Sequence, residues 1–256
     1  MADSAERFDA IVSDFRSALN TLGGVLGHVA ATGPAAELRV LILNNNIVAL
    51  TAMIEEALRG LFREYLSILE ESIDDHRELR ETLQKANLES AIQKLKKHSR
   101  EPDFKGAAIL VSNLERCLNG RAGYQLLKEE ITYNQGNFRS KQVTEMSKSV
   151  GITNLWRWVC DCSLVEDTTG ESNLDARVTR TTATWNEIFD ERDLVVHRIS
   201  QASGWGAERI EQSIYLGAIV VERVAACLAA DANELVPQAA QIKPDLADEE
   251  GLRPER

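Results

Sequence analysis

The sequence predicts an all-α protein, an up-and-down bundle of long antiparallel helices. Three observations carry that expectation. Apolar residues recur at three- and four-residue spacing along most of the chain, and no segment calls for a strand. The composition also favours helices: Ala, Leu, Glu and Arg dominate, and prolines are sparse. With 44% apolar and 27% charged residues, 256 residues suffice for a globular domain with a sizeable core.

Residues 3–30 read as a first helix, with Phe8, Ile11, Val12, Phe15, Ala18, Leu19 and Leu22 as its stripe, stopped by Thr32-Gly33-Pro34. A second helix is expected over 35–72, turning Leu43, Ile47, Leu50, Ile54, Leu58, Leu61, Tyr65, Ile68 and Leu69 inward. Asn44-Asn45-Asn46 interrupts that stripe as a kink, a helix start or a polar feature facing a cleft. Residues 75–99 form a charged helix, acidic at its start and basic at its end, as the macrodipole favours. The stretch 104–117 reads as a connection or a weak helix, 131–139 as a loop, and 141–149 as a short helix closed by Gly151. An apolar core segment at 155–165 and a loop at 166–173 lead to a helix over 181–199. A turn at 203–206 then precedes a last helix over 207–233. The chain therefore divides into an N-terminal helix (1–34), a helical domain (35–233) and a disordered acidic tail (234–256) without periodicity.

The formal net charge of −11 excludes a protein that coats nucleic acid nonspecifically, while leaving room for a local basic cleft. Cys117, Cys160, Cys162 and Cys227 show no disulfide framework and read as free thiols in a reducing compartment. Cys160-x-Cys162 lacks a neighbouring histidine to complete a metal site, so neither a metal nor a cofactor is expected. The acidic start of the chain is no signal peptide, and no uninterrupted apolar run spans a bilayer, so the expected place is the cytoplasm, without a membrane partner.

Chemistry concentrates in ERDLVVHR, residues 191–198. Trp185, Phe189, Arg192, Val196 and Ile199 follow spacings of four, three, four and three, so Arg192 stands where a leucine belongs. A guanidinium there needs a partner or a water-filled cleft. His197 follows five residues on, about 140° around the helix. A histidine can exchange a proton with a hydroxyl, and an arginine can hold a phosphate in a bidentate grip. The pair suffices for RNA cleavage through the ribose 2′-OH, because the nucleophile is already in the substrate. Spacing alone carries little, since in a chain this rich in arginine one such pair is expected about once by chance. The run KLKKHSR, 94–100, reads as a complement to its helix dipole rather than an RNA contact. Trp156 and Trp158 read as core residues, and His28, His76 and His98 have no partners at metal-ligand spacing.

In its motif and element order the chain resembles the HEPN superfamily, and within it the RiboL-PSP-like branch of helical endoribonucleases. The segment Arg192-Asp193-Leu194-Val195-Val196-His197 is similar to the family's R-x4-6-H motif, including the polar residue after the arginine. It ends a helix and precedes one last amphipathic helix. Residues 51–66, TAMIEEALRGLFREYL, are similar to the early family helix, and NQGNF at 134–138 with Gly151-Ile152 adds to the likeness. The resemblance covers roughly residues 40–230, so 35–233 would be a HEPN-like domain. It implies a homodimer that cuts RNA without metal, a toxin or phage-defence effector with a possible antitoxin or regulatory partner. Arg192 and His197 would be catalytic, Asp193 would orient the arginine or the backbone, and Glu55 would match the early acidic position. The place two residues past the histidine, a tyrosine in one variant of the motif, is Ile199 here. Other HEPN-like domains act as noncatalytic binding or adaptor modules, the alternative that the acidic charge accommodates.

Overall fold

A computed structural model of the chain describes residues 4–100, 103–133, 137–197 and 205–241. Among the described residues there is no strand, and the architecture is an all-α helical bundle. Six long helices carry it: α1 (Ser4–Thr32), α2 (Ala36–Ser72), α3 (Glu81–Arg100), α4 (Phe104–Asn119), α9 (Leu174–His197) and α10 (Ala207–Gln241). Four short ones lie between α4 and α9: α5 (Lys128–Ile131), α6 (Ser140–Ser149), α7 (Leu155–Cys160) and α8 (Ser163–Thr169).

The centre is a packed trio of α1, α2 and α10. Gly33 takes a left-handed backbone (φ 54°), and three residues turn α1 back onto α2. The pairing is antiparallel: Arg7 meets Glu64 and Glu71, Ile11 lies over Gly60, and Leu26 packs with Leu43 and Ile47. α10 runs parallel to α2, with Ile210 beside Ile47, Gly217 against Ile54, and Tyr65 donating its hydroxyl to Asp231. Gly217 permits this approach, since a Cβ there would come within 3.1 Å of Ile54 Cδ1. The N-terminal helix is thus part of the same core: Phe8, Phe15, Leu19 and Leu22 are buried with Leu58, Leu61 and Phe62. By length and composition α2 and residues 207–236 of α10 could cross a membrane. In the bundle their apolar faces cover each other and α1.

Several elements differ from the sequence expectation, each for a local reason. α2 runs unbroken through Asn44-Asn45-Asn46, and Asn46 Nδ2 donates to the Ile42 carbonyl at 2.7 Å instead of breaking the helix. The charged helix divides into a 3-10 turn at His76–Glu78, capped by the Asp75 side chain, and α3. The stretch read as a connection or weak helix is α4, closed at its start by Asp103 accepting from the Gly106 amide and at its end by left-handed Gly120. α9 begins two turns early, at Leu174, where the Asn173 side chain accepts from the Asp175 and Ala176 amides. The missed turns, residues 174–180, carry the β-branched Val178 and Thr179 and no continuous apolar stripe. α8 occupies part of the expected loop at 166–173, and α10 extends to Gln241, into the segment expected to be a disordered tail. The turn expected at 203–206 and the remainder of that tail fall mostly or wholly outside the described residues.

Beyond the trio, Asn87 ties α3 to its surroundings. Its Nδ2 lies 3.1 Å from His76 Nε2 and its Oδ1 accepts from the Leu127 amide at 2.9 Å. His76 is buried edge-on to Tyr124. Burial pushes its pKa below the ordinary 6.5, against the opposing pull of the Asp75 carboxylate. The folded state holds fewer protons at this site than the unfolded chain. The associated stability is therefore complete above pH 6.5 and is lost as pH falls through the folded value. Urea denaturation at about pH 7.5 and about pH 5.5 should show a lower midpoint in acid, and His76→Gln should flatten the difference. An undiminished difference in the variant would place the acid sensitivity elsewhere.

Candidate functional site

α9 is laid against the core by Thr181, Trp185, Ile188, Phe189 and Val195, all buried. Val195, rather than the expected Val196, continues the inner stripe, packing with Leu43, Ile47 and Ile210; Val196 is exposed and Ile199 lies outside the described residues. Arg192 falls between Phe189 and Val195 on this stripe, its side chain 33% exposed. The expectation that this arginine needs a partner is met by Asn137 and by its sequence neighbour Asp193.

The segment 137–139 leads into α6 and crosses α9. Phe138 is fully buried, and its carbonyl accepts from Trp185 Nε1 at 2.7 Å. The Ser140 amide donates to Asn186 Oδ1 at 2.8 Å, and Trp156 Nε1 donates to the Ser140 carbonyl at 3.1 Å. Asn186, Asp190 and Asp193 share one face of α9 at spacings of four and three, and all three meet this segment. Arg139 donates from Nη2 to Asp190 Oδ1 at 2.6 Å and to Asp193 Oδ2 at 2.9 Å. Asn137 Nδ2 donates to both Asp193 oxygens, at 2.7 and 2.8 Å. Arg192 Nη1 donates to Asn137 Oδ1 at 3.0 Å and to Asp193 Oδ1 at 2.9 Å. Partial burial opposes ionisation of Asp193, but the bonds from Arg139, Arg192 and Asn137 prevail and hold its carboxyl below the usual aspartate value.

The structure therefore joins Arg192 and Asp193 in one polar cluster. Glu55 stands one remove away: it pairs with Arg59 at 3.6 Å, and that guanidinium lies 4.8 Å over the Phe138 ring. His197 is the last described residue of α9 and is exposed. Helix geometry sets it roughly 7.5 Å along the axis from Arg192 and about 140° around it, so the two do not share a face within one copy. On α2, Asn44 and Asn46 are buried beside Ile47, and Asn46 Oδ1 has no hydrogen-bond partner. They are neither a kink nor a helix start but buried polar residues within α2.

Asn137 and Arg139 are the residues that sequence reasoning missed. Both lie in a stretch read as a loop, and the signal available was the NQGNFR run ahead of a short helix. The other candidates have structural places. Trp156 is buried edge-on to Trp185, and Trp158 is half-buried under Arg223. Lys94 pairs with Glu130, and His98 with Asp103 at 3.5 Å. Among the described residues no three His, Cys, Asp or Glu side chains gather as a metal site would require.

The cluster can fix a guanidinium at the edge of a helical core, a suitable arrangement for meeting an anion. Comparison with protein-family models, curated proteins and solved structures gives no match to this chain. The tie between α9 and the crossing segment is directly testable. Trp185→Phe leaves the buried Phe138 carbonyl without its donor and should cost about 1–3 kcal/mol in chemical denaturation. A change within a few tenths would show that this bond does not hold the segment.

Proposed function

We propose that the chain is a HEPN-type endoribonuclease that acts on RNA as a homodimer, without a metal, in a cytoplasmic toxin or phage-defence role. The observation that carries the reading is Arg192. It interrupts the inner stripe of α9, is held by the polar residue that follows it and by Asn137, and stands five positions before an exposed histidine on the same helix. The order of elements supports it, since α10 follows as the last helix among the described residues.

In the proposed reaction His197 acts as general base or acid. As base it takes the proton from the ribose 2′-OH, and O2′ attacks the adjacent phosphorus. The P–O5′ bond breaks and the proton that His197 took is returned to the 5′ oxygen, giving a 2′,3′-cyclic phosphate and a 5′-hydroxyl end. Arg192 binds the scissile phosphate and stabilises the charge growing on its non-bridging oxygens. Asp193 orients the arginine, and Glu55 takes a supporting place through Arg59. The exposed apolar residues Leu194 and Val196, flanking the buried Val195 between Arg192 and His197, support pairing with a second copy at this end of α9. A second reading, a noncatalytic binding module, draws on the pairing of the Arg192 charge with Asp193.

Purified protein in EDTA should cleave single-stranded RNA to cyclic-phosphate ends, and His197→Ala should lower the rate by about 10²–10⁴-fold. Cleavage abolished by the chelator, or untouched by the substitution, would sink the mechanism. Absence of any RNA product would favour the binding module. Val196→Glu should shift the chain to a monomer in sedimentation equilibrium and lower cleavage with it; an unchanged dimer would remove this end of α9 from the interface.

A further inference from the structure

Adjacent residues on a helix do not face each other. The bond from Arg192 Nη1 to Asp193 Oδ1 therefore needs something to draw the carboxylate round. Two side chains from the crossing segment are placed to do so. Asn137 Nδ2 bonds both carboxylate oxygens, and Arg139 Nη2 bonds Oδ2. With Arg192 these contacts occupy the acceptor positions a carboxylate offers. The amide of Asn137 is oriented by this arrangement: with Nδ2 on Asp193, Oδ1 turns to Arg192 Nη1. Nη1 is thereby gripped between two acceptors on different elements.

We infer that Asn137 and Arg139 are positioning residues: Asn137 directly and through Asp193, and Arg139 through Asp193, they fix where the Arg192 guanidinium stands and how much of its charge meets a phosphate. The catalytic consequence rests on the proposed ribonuclease reading; the structural one does not. Two physical terms are at work. Geometrically, the segment that carries both residues is immobilised by buried Phe138, by Trp185 Nε1 on its carbonyl and by Asn186 on the Ser140 amide, so Asn137 offers a fixed acceptor. Electrostatically, Asp193 alone would spend its whole charge on Arg192. Arg139 takes a share of it, while Asp190, largely exposed, draws on Arg139 from the outer side. A supporting group that orients a functional side chain in this way is commonly worth 10–100-fold in activity when removed.

The test uses the full chain and two readouts. The first is rotation about the Arg192 Cζ–Nη bonds, followed by 15N NMR without any substrate. The second is kcat and KM on single-stranded RNA. Asn137→Ala and Arg139→Gln should each speed the Arg192 rotation several-fold and lower kcat by about 10–100-fold with KM within about threefold. Arg7→Gln cuts an ion pair between α1 and α2, touches none of these residues, and serves as the stability control. It should leave both readouts as in the wild type. Arg192 signals unchanged in Asn137→Ala would overturn the inference, as would an equal loss of kcat in Arg7→Gln. Failure of the wild type to cut RNA would overturn the catalytic half and the ribonuclease reading, while the rotation measurement still decides whether Asn137 and Arg139 hold Arg192.

Discussion

A guanidinium on the inner stripe of a helix has to be met by acceptors, and this constraint shapes the structure around α9. Left unpaired and desolvated, Arg192 would cost several kcal/mol. Its nearest carboxylate is on the adjacent residue, poorly placed by helix geometry. The acceptors are brought in by a non-helical strip of chain at 137–139, pinned across α9 by one buried ring and the Trp185 N–H group, with Trp156 holding the adjoining Ser140 carbonyl. Stability and geometry then have different sources. Burying Trp185, Phe138 and Phe189 contributes about 1.5–3 kcal/mol each. The ion pairs of Arg139 and Arg192 are about one-third exposed, and contribute little after screening. Apolar packing holds the strip down; the polar cluster decides where each charge sits.

The same division runs through the bundle. α1, α2 and α10 pack through continuous apolar stripes, and polar clamps mark their register: Arg7 to Glu64 and Glu71, Tyr65 and Arg80 to Asp231. α9 lies against α2 and α10, so the end of α9 inherits its position from Ile47 and Ile210, which pack on Val195. A side chain three residues before Val195 is thus fixed relative to the whole bundle, the rigid mounting a site needs.

The long helices were legible because their burial is periodic. The stripe read at 43–69 is the buried stripe of α2, and the N-terminal stripe from Phe8 to Leu22 is the one α1 buries. The out-of-place Arg192 was legible for the same reason, as an exception to a period. What escaped were features without one. The start of α9 carries no apolar period; it is capped by Asn173 and tied to α8 by the buried Arg177. Val195 and Val196 are both apolar, and only the packing of Ile47 and Ile210 decides which turns inward. Asn137 and Arg139 lie more than fifty residues from the side chains they hold, in a segment whose order comes from tertiary contacts. A pattern of spacing has no access to such a partnership, although the arginine's need for one was readable.

The placing of His197 carries the last consequence. It stands five positions after Arg192, so the two diverge by about 140° on α9. Arg192 is committed to the core edge by Asn137 and Asp193, and the histidine is exposed further along the helix. Rotating α9 to bring His197 toward the same groove would drag Trp185 and Phe189 out of the core, at a cost far above any gain from one side-chain contact. Closure must therefore come from outside the helix. A second copy approaching this end of the bundle could bring its own arginine or histidine to the first copy's pair, covering Leu194 and Val196 as it did so. On that argument the proposed chemistry and the proposed dimer stand or fall together, because the helix that supplies both residues cannot itself turn them to one substrate.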